Sequence, residues 1–213
     1  MLCIALSLLV PTAAAAQPIT QNAPEHQNDG SELEKRAGVF VHRKSGFLYP
    51  AQLGEMPARK TTTYGPGNAS IYYTRFGAGN NDAWLSLYVY PASGRNAVDD
   101  VPDIEGPIMK YEEAVKAAPP VGLSPGPPGS LDGWFRANLQ GIQVLTGYRL
   151  IRSGNWFIKV RTSIPLKGGA EAEKRATDAM AAIPWSWQPN GAGSDTPSEP
   201  ANVSAADEGS PVG

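Results

Sequence analysis

The chain is poor in the residues that most often carry enzyme chemistry. Its 213 residues include one cysteine, Cys3, and two histidines, His26 and His42. A single thiol cannot form an internal disulfide, and a zinc site built from several cysteines is excluded for the same reason. A Ser-His-Asp triad would have to use His42, because His26 lies in a polar segment, and no G-x-S-x-G sequence is present. We therefore expect no catalytic residues, no metal and no cofactor.

Charge is absent from the first 16 residues, where an apolar run is followed by small residues. This is the pattern of a secretory signal peptide, and Ala14 and Ala16 form an A-x-A cleavage site before Gln17. The apolar run is too short for a stable membrane span, although a retained anchor is the alternative interpretation. No basic residue precedes the run, which leaves open a true start further upstream. The predicted localisation is periplasmic or secreted, and Cys3 is lost with the peptide.

Apolar side chains are also scarce at both ends of the remaining chain. Residues 17–33 and 190–213 are polar, and such segments cannot bury enough apolar surface to offset the loss of chain entropy. We predict a disordered linker and a disordered acidic tail on either side of one domain, residues 34–189. All 18 Lys and Arg residues lie in this domain with 13 Asp and Glu residues, which leaves a net charge of +5. So small a charge does not favour nucleic acid as the partner of an exported protein.

The domain contains short strand patterns separated by turn residues. Segment 83–90 has Leu85, Leu87 and Val89 at alternate positions and mostly aromatic residues between them, which predicts a central strand buried on both faces. The connections between neighbouring strands are short enough for hairpins, so the sheet is predicted to be mostly antiparallel. The other predicted strands cover 39–43, 46–50, 59–65, 69–76, 134–140 and both arms of a hairpin at 147–165.

Two segments have the spacing of helices. Apolar residues spaced four, three, four and three apart predict a helix from Ile104 to Ala118, which Pro119 would end. A second apolar pattern predicts a helix over about 169–183, which Pro184 would stop. The fold class that follows is α+β, with a mostly antiparallel sheet of about six or seven strands and two packed helices.

The start of the predicted sheet carries the motif G-F-x-Y-P at Gly46, Phe47, Tyr49 and Pro50. With the later order of helix, hairpin and C-terminal helix, the chain resembles domains of the PsbP-like fold, which implies an α/β/α sandwich. Those domains serve as accessory or partner-binding proteins more often than as enzymes, so the resemblance implies a binding role. The chain is also similar to small exported proteins of proteobacteria that lack an assigned activity. The resemblance transfers no functional residues to this sequence.

The hairpin at 147–165 is the candidate binding surface, because its polar positions are almost all cationic. A three-residue loop, 153–155, would pair Arg149 with Lys159 and place Ile151 opposite Phe157 between the charges. This arrangement predicts a contact face for an anionic protein or envelope component. The alternative is a solvated sheet face whose long cationic side chains cover apolar surface. The predicted partner-binding residues are Arg149, Ile151, Arg152, Phe157, Lys159 and Arg161.

Three other features have a functional interpretation. The acidic run 99–105 offers oxygen ligands for Ca²⁺, but its spacing does not match an EF-hand, and carboxylates beside a helix start are common. The many tyrosines and tryptophans would form a sugar-stacking surface if they were exposed. Glu112, Glu113 and Asp132 are the acidic candidates for a hydrolase.

The preferred hypothesis is an exported soluble binding or accessory module of the bacterial envelope that is not an enzyme. It rests on the export signal and on the lack of a recognisable catalytic set in the sequence. The alternative is a carboxylate-dependent envelope hydrolase or a glycan-binding domain.

Export is testable through the N-terminus of the mature protein. When the full chain is expressed in a bacterial host, the protein recovered from the periplasm or medium should begin at Gln17, because cleavage follows the A-x-A site. Intact-mass measurement reads this position directly. A membrane-bound product that retains Met1 would contradict the prediction.

Overall fold

A computed structural model describes residues 32–76 and 81–189. The predicted signal peptide, nearly all of the predicted linker and the acidic tail lie outside the described residues. The first strand begins at Leu33, the last residue of the predicted linker. Within the described ranges, neither helix combines the length and the apolar character that a membrane crossing needs.

The described residues form eleven strands and two α-helices. The first seven strands are β1 Leu33–Arg36, β2 Val39–His42, β3 Leu48–Tyr49, β4 Gln52–Leu53, β5 Met56–Gly65, β6 Asn68–Thr74 and β7 Trp84–Pro91. The elements that follow are helix α1 Ala97–Ile108, β8 Glu112–Lys116, β9 Leu131–Leu139, β10 Ile142–Ser153, β11 Trp156–Pro165 and helix α2 Gly169–Ala181. A 3₁₀ turn, Leu166–Gly168, joins β11 to α2.

The strands of the described part form two sheets, and every pair in them is antiparallel. Strands β1, β2 and β3 form a small sheet, and the others form one sheet in the order β4-β5-β6-β7-β11-β10-β9-β8. The predicted central strand is confirmed, because β7 lies between β6 and β11 with Leu85, Leu87 and Val89 fully buried. The α+β class is confirmed as well. The strand count exceeds the prediction because short pieces such as β1, β4 and β8 were not foreseen.

The two helices lie on opposite faces of the large sheet. On one face, Leu87 of β7 belongs to a buried cluster with Ala176 of α2. On the other face, Phe157 of β11 and Tyr148 of β10 form a buried cluster with Ile104 of α1. Because side chains alternate along a strand, each central strand contributes to both layers. We call these two surfaces the α2 face and the α1 face.

Helix α2 occupies the segment that its apolar pattern predicts. The side chains of Ala172, Ala176, Ala179 and Met180 are almost completely buried against the sheet. Pro184 follows the end of the helix, as expected for a residue that cannot continue it.

The predicted helix 104–118 is wrong in its second half. Helix α1 starts earlier, at a capping box in which the Asp99 carboxylate accepts a hydrogen bond of 2.9 Å from the Asn96 N–H. The helix also ends earlier, and the chain continues as β8, which pairs with β9. Val115, a predicted core position, is 56% exposed. The backbone of β9 offers hydrogen-bonding partners to this segment, and that tertiary pairing outweighs the helical spacing of the side chains.

The predicted three-residue loop of the hairpin is also wrong. Ser153 pairs with Trp156, so the turn has only two residues, Gly154 and Asn155. Gly154 has φ +57, which fits the first central position of a type II′ turn, and glycine adopts this conformation without strain. A change of one residue in the loop shifts the register, and a shifted register changes which side chains face each other.

Arg149 and Lys159 therefore do not form the predicted cross-strand pair. Arg149 lies opposite Val160 on the α2 face, whereas Lys159 lies opposite Leu150 on the α1 face. The predicted repulsion between two facing cations does not arise, and the hairpin has no single basic face.

The central position of β7 is testable by truncation of Leu87. Leu87→Ala removes a fully buried side chain, so the free energy of unfolding in urea should fall by about 2–5 kcal/mol. Leu48→Ala is the control, because Leu48 is 52% exposed. Its effect should remain within about 0.5 kcal/mol. Equal losses for the two variants would contradict the assignment of β7 to the core.

Candidate functional site

The six predicted partner-binding residues do not lie on one surface. Arg149 and Ile151 belong to the α2 face, and Arg149 is 3% exposed. The cations of the hairpin therefore contribute to separate sites, and their role in partner binding stays a prediction. The four residues on the α1 face are Arg152, Phe157, Lys159 and Arg161.

Two of these four residues are engaged in the fold. Phe157 is fully buried in the cluster beneath α1. Arg152 is exposed and donates hydrogen bonds to the Gly154 carbonyl (2.9 Å) and to Asn96 Oδ1 (3.1 Å). Arg152 therefore links the hairpin turn to the start of α1.

The other two cations border an open part of the α1 face. Helix α1 packs mainly on β9 and β10, which lie on the other side of β7 and β11 from β5 and β6 in the sheet order. Tyr64, Tyr72 and Tyr88 line this open part, and the rings of Tyr64 and Tyr88 lie 6.0 Å apart. Together with Lys159 and Arg161, we call these three tyrosines the tyrosine face.

Lys159 is the most unusual residue of the tyrosine face. Its Nζ lies 4.7 Å from the centre of the Tyr88 ring and 4.9 Å from that of Tyr90, an arrangement that attracts a cation to the rings. It has no hydrogen-bond acceptor and no ion-pair partner among the described side chains. Burial lowers the pKa of Lys159 to about 8, and Arg161 also lowers it, while Asp100 acts in the opposite direction.

Arg161 is the second cation of this surface. Its Nη2 donates a hydrogen bond of 2.7 Å to the Tyr111 hydroxyl, and its guanidinium lies 5.6 Å from the centre of the same ring. No carboxylate within the described ranges bonds to it. Because Lys159 and Arg161 are two positions apart on one strand, both cations point to the same face.

The sequence contained a signal for this surface. Lys159 lies directly opposite Tyr88, and Arg161 opposite Ser86, in the pairing of β11 with β7. The aromatic positions of β7 were recognised, but the hairpin register placed Lys159 next to Arg149 instead. A two-residue turn at Gly154 would have separated Lys159 from Arg149, and the pairing of β11 with β7 is what brings Lys159 beside Tyr88.

A cleft of about 410 Å³ lies at the far edge of the sheet, where β9 extends past the end of β8. We call it the Arg149 cleft, after the buried side chain in its lining. Its lining combines two carboxylates and two cations with apolar side chains. The lining residues are Glu105, Lys116, Ala117, Pro119, Leu123, Ser124, Pro125, Asp132, Gly133, Trp134, Phe135 and Arg149.

The buried guanidinium of Arg149 is held by a bidentate pair. Its Nε and Nη2 donate to the two carboxylate oxygens of Asp132, at 2.8 and 2.7 Å, and Nη2 also donates to the Ser124 carbonyl at 3.0 Å. A buried charge requires such a partner. Gly126 is needed beside it, because a Cβ there would lie 2.9 Å from the Arg149 Nε and 2.1 Å from Ser130 Oγ.

Glu105 of helix α1 lines the same cleft. Its carboxylate accepts a hydrogen bond of 3.0 Å from the Tyr148 hydroxyl and lies 3.6 Å from Lys116 Nζ. Burial raises the pKa of Tyr148, and its hydrogen bond to Glu105 raises it further, so this phenol stays protonated.

The three acidic candidates for a hydrolase do not converge. Glu112 pairs with Asn138, six residues along β9 from Asp132, a separation of about 20 Å. Glu113 is exposed and accepts a hydrogen bond from Gln143 (2.9 Å). Paired carboxylates in glycoside hydrolysis lie within about 9.5 Å of each other, so these residues do not form such a pair with Asp132.

His42 has the environment of a structural residue. It is fully buried, and its Nδ1 lies 2.7 Å from Ser45 Oγ within the turn that follows β2. Ser45 is itself buried and accepts a hydrogen bond of 3.1 Å from the Phe47 N–H. Burial lowers the pKa of His42, which keeps the imidazole neutral. A substrate would not reach this Ser–His pair.

The acidic run 99–105 is divided between the two ends of α1. Asp99 caps the start of the helix, and Asp100 is buried, where it accepts a hydrogen bond from the Tyr90 hydroxyl and pairs with Arg95 at 2.7 Å. In the ranges that the structure describes, no three His, Cys, Asp or Glu side chains come together as metal ligands would.

Comparison with models of known protein families and with curated proteins finds no match to this chain.

Proposed function

We propose that the chain is an exported binding or accessory module of the bacterial envelope, which binds an anionic partner through the tyrosine face and is not an enzyme. The observation that carries the proposal is the environment of the Lys159 ammonium group, which is largely removed from water and has no carboxylate from the described ranges bonded to it. Burial disfavours its charge, and among the described residues no carboxylate bonds to its ammonium group. An acidic group of a partner would supply the missing acceptor and would stabilise the charged form.

The rest of the tyrosine face suits contact with a macromolecule. Tyr64 is the exposed ring of this surface, whereas Tyr72 and Tyr88 are already partly buried. A tyrosine loses little conformational entropy when it is covered, because it has few rotatable bonds. Tyr64 is 37% exposed, and its hydroxyl lies 3.2 Å from Ser70 Oγ. Arg161 adds a second positive charge to the side that Lys159 occupies.

The arrangement of elements supports the same class of function. Two helices on opposite faces of an antiparallel sheet agree with the α/β/α sandwich that the resemblance to the PsbP-like fold implies. Phe47 and Tyr49 of the G-F-x-Y-P motif are fully buried, so the motif belongs to the core. Domains of that fold act more often as accessory proteins than as enzymes, and periplasmic or secreted localisation is part of the proposal.

Replacement of both cations by glutamine tests the proposed surface. The probes are polyglutamate, for an acidic protein, and polygalacturonate, for an acidic polysaccharide, with affinity measured by calorimetry at low salt. Lys159→Gln with Arg161→Gln should weaken binding of the preferred probe about tenfold or more, because two charge-assisted contacts are removed. The control, Arg43→Gln with Lys167→Gln, removes two exposed cations outside this surface and should leave the affinity within about twofold.

Thermal melts of both double variants establish that the fold is intact. Binding by the unaltered protein should also weaken as salt is added, since exposed charges are screened. If neither probe binds, or if binding survives the Lys159 and Arg161 replacements, the proposed surface is wrong.

A further inference from the structure

We propose that the Arg149 cleft is a binding site for an extended peptide, which adds to the open end of β9 and presents its C-terminal carboxylate to Arg149. This site is separate from the tyrosine face, and the proposal does not rest on it. Three observations carry it: an unpaired strand edge, a buried arginine with unused donors, and a balanced set of charges.

The edge of β9 is only partly covered. Strand β8 pairs with β9 no further than Phe135, and one more hydrogen bond joins the Ala117 N–H to the Trp134 carbonyl at 2.8 Å. The chain then leaves the sheet at Pro119. The remaining residues of β9, including Asp132, pair with β10 alone.

The direction of the free backbone groups follows from strand geometry. The Trp134 carbonyl points away from β10, because it accepts the bond from Ala117. Backbone groups of residues two apart in a strand point to the same side, so the N–H and C=O of Asp132 also point outward. No residue in the described ranges bonds to them. An added strand would satisfy both groups, as in peptide recognition at sheet edges.

Arg149 supplies the charged contact. Its Nε and Nη2 are engaged by Asp132 and Ser124, but Nη1 has no acceptor in the described part of the chain. The residue is 3% exposed and lines the cleft, so its free donors are held in place in a largely desolvated setting. A carboxylate is the group that a guanidinium binds most strongly through parallel N–H donors.

The other charges of the cleft favour a peptide over a simple anion. Both oxygens of the Asp132 carboxylate face Arg149, and Glu105 lies between Tyr148 and Lys116. With two carboxylates and two cations the lining is neutral, so a small multivalent anion gains little from it. A peptide end offers one carboxylate together with backbone N–H donors. The volume, about 410 Å³, lies in the range of ordinary ligand pockets and suits a few residues.

The test uses an equimolar pool of random hexapeptides with free C-termini and the same pool with C-terminal amides. Each pool is mixed with the full chain and passed over a size-exclusion column. The peptides that elute with the protein are counted as retained and are quantified by mass spectrometry. Retention of the free-acid pool should exceed that of the amide pool about tenfold, the effect of one charge-assisted hydrogen bond. In NMR spectra, selected peptides should shift the backbone amide of Asp132.

Ser124→Trp is the blocking variant, because Ser124 is exposed and lines the cleft, and its hydrogen bond with Arg149 is made by the backbone carbonyl, which the substitution keeps. It should abolish retention. Thr61→Trp, at an exposed position on β5, is the control and should retain peptides normally. No retention, equal retention of the acid and amide pools, retention by Ser124→Trp, or an equal shift of the Asp132 amide by inorganic phosphate would each overturn the proposal.

Discussion

The two-residue turn at Gly154–Asn155 determines how the hairpin distributes its charges. Gly154 adopts φ +57, and the turn sets the register in which β10 and β11 pair. In that register Arg149 belongs to the α2 face and Lys159 to the α1 face. The turn therefore places Arg149, the buried cation of the cleft, on the opposite side of the sheet from the tyrosine face. A loop of one more residue would have brought the two cations together on one surface.

The two cations, Arg149 and Lys159, have contrasting environments in the fold. Arg149 has the bidentate partner that a buried charge requires, so it is a structural element of the cleft as well as a donor to it. Lys159 has aromatic rings beside it but no described carboxylate bonded to it, and its pKa falls to about 8. A partly buried cation without an acceptor lowers the free energy of unfolding. Residues that lower stability in this way are expected at sites where a protein binds a ligand or a partner.

Much of the fold was predictable in segments where the pattern of apolar residues along the chain agrees with the way the segment packs in the folded protein. Segment 83–90 and helix α2 have patterns that their packing satisfies, so their predicted positions are confirmed. The stretch after Ile108 has helical spacing, yet it pairs with β9, because the partner strand is visible only in three dimensions. The predicted hairpin register failed because the three-residue loop was chosen to keep the apolar side chains on one face, whereas helices pack on both faces of this sheet. The Arg149 cleft was not predictable, because Glu105 and Asp132 meet through the packing of α1 beside β9.

The central claim is that the Lys159 ammonium is partly desolvated and lacks an acceptor until an anionic partner binds. NMR of ¹³C-labelled lysine side chains measures this directly, with the Lys159 signal assigned from its loss in Lys159→Gln. We predict a pKa of about 8 in the free protein, and a rise toward the ordinary 10.5 when the protein is saturated with the anionic probe that it binds. A pKa near 10.5 in the free protein, or no rise on saturation, would contradict the account.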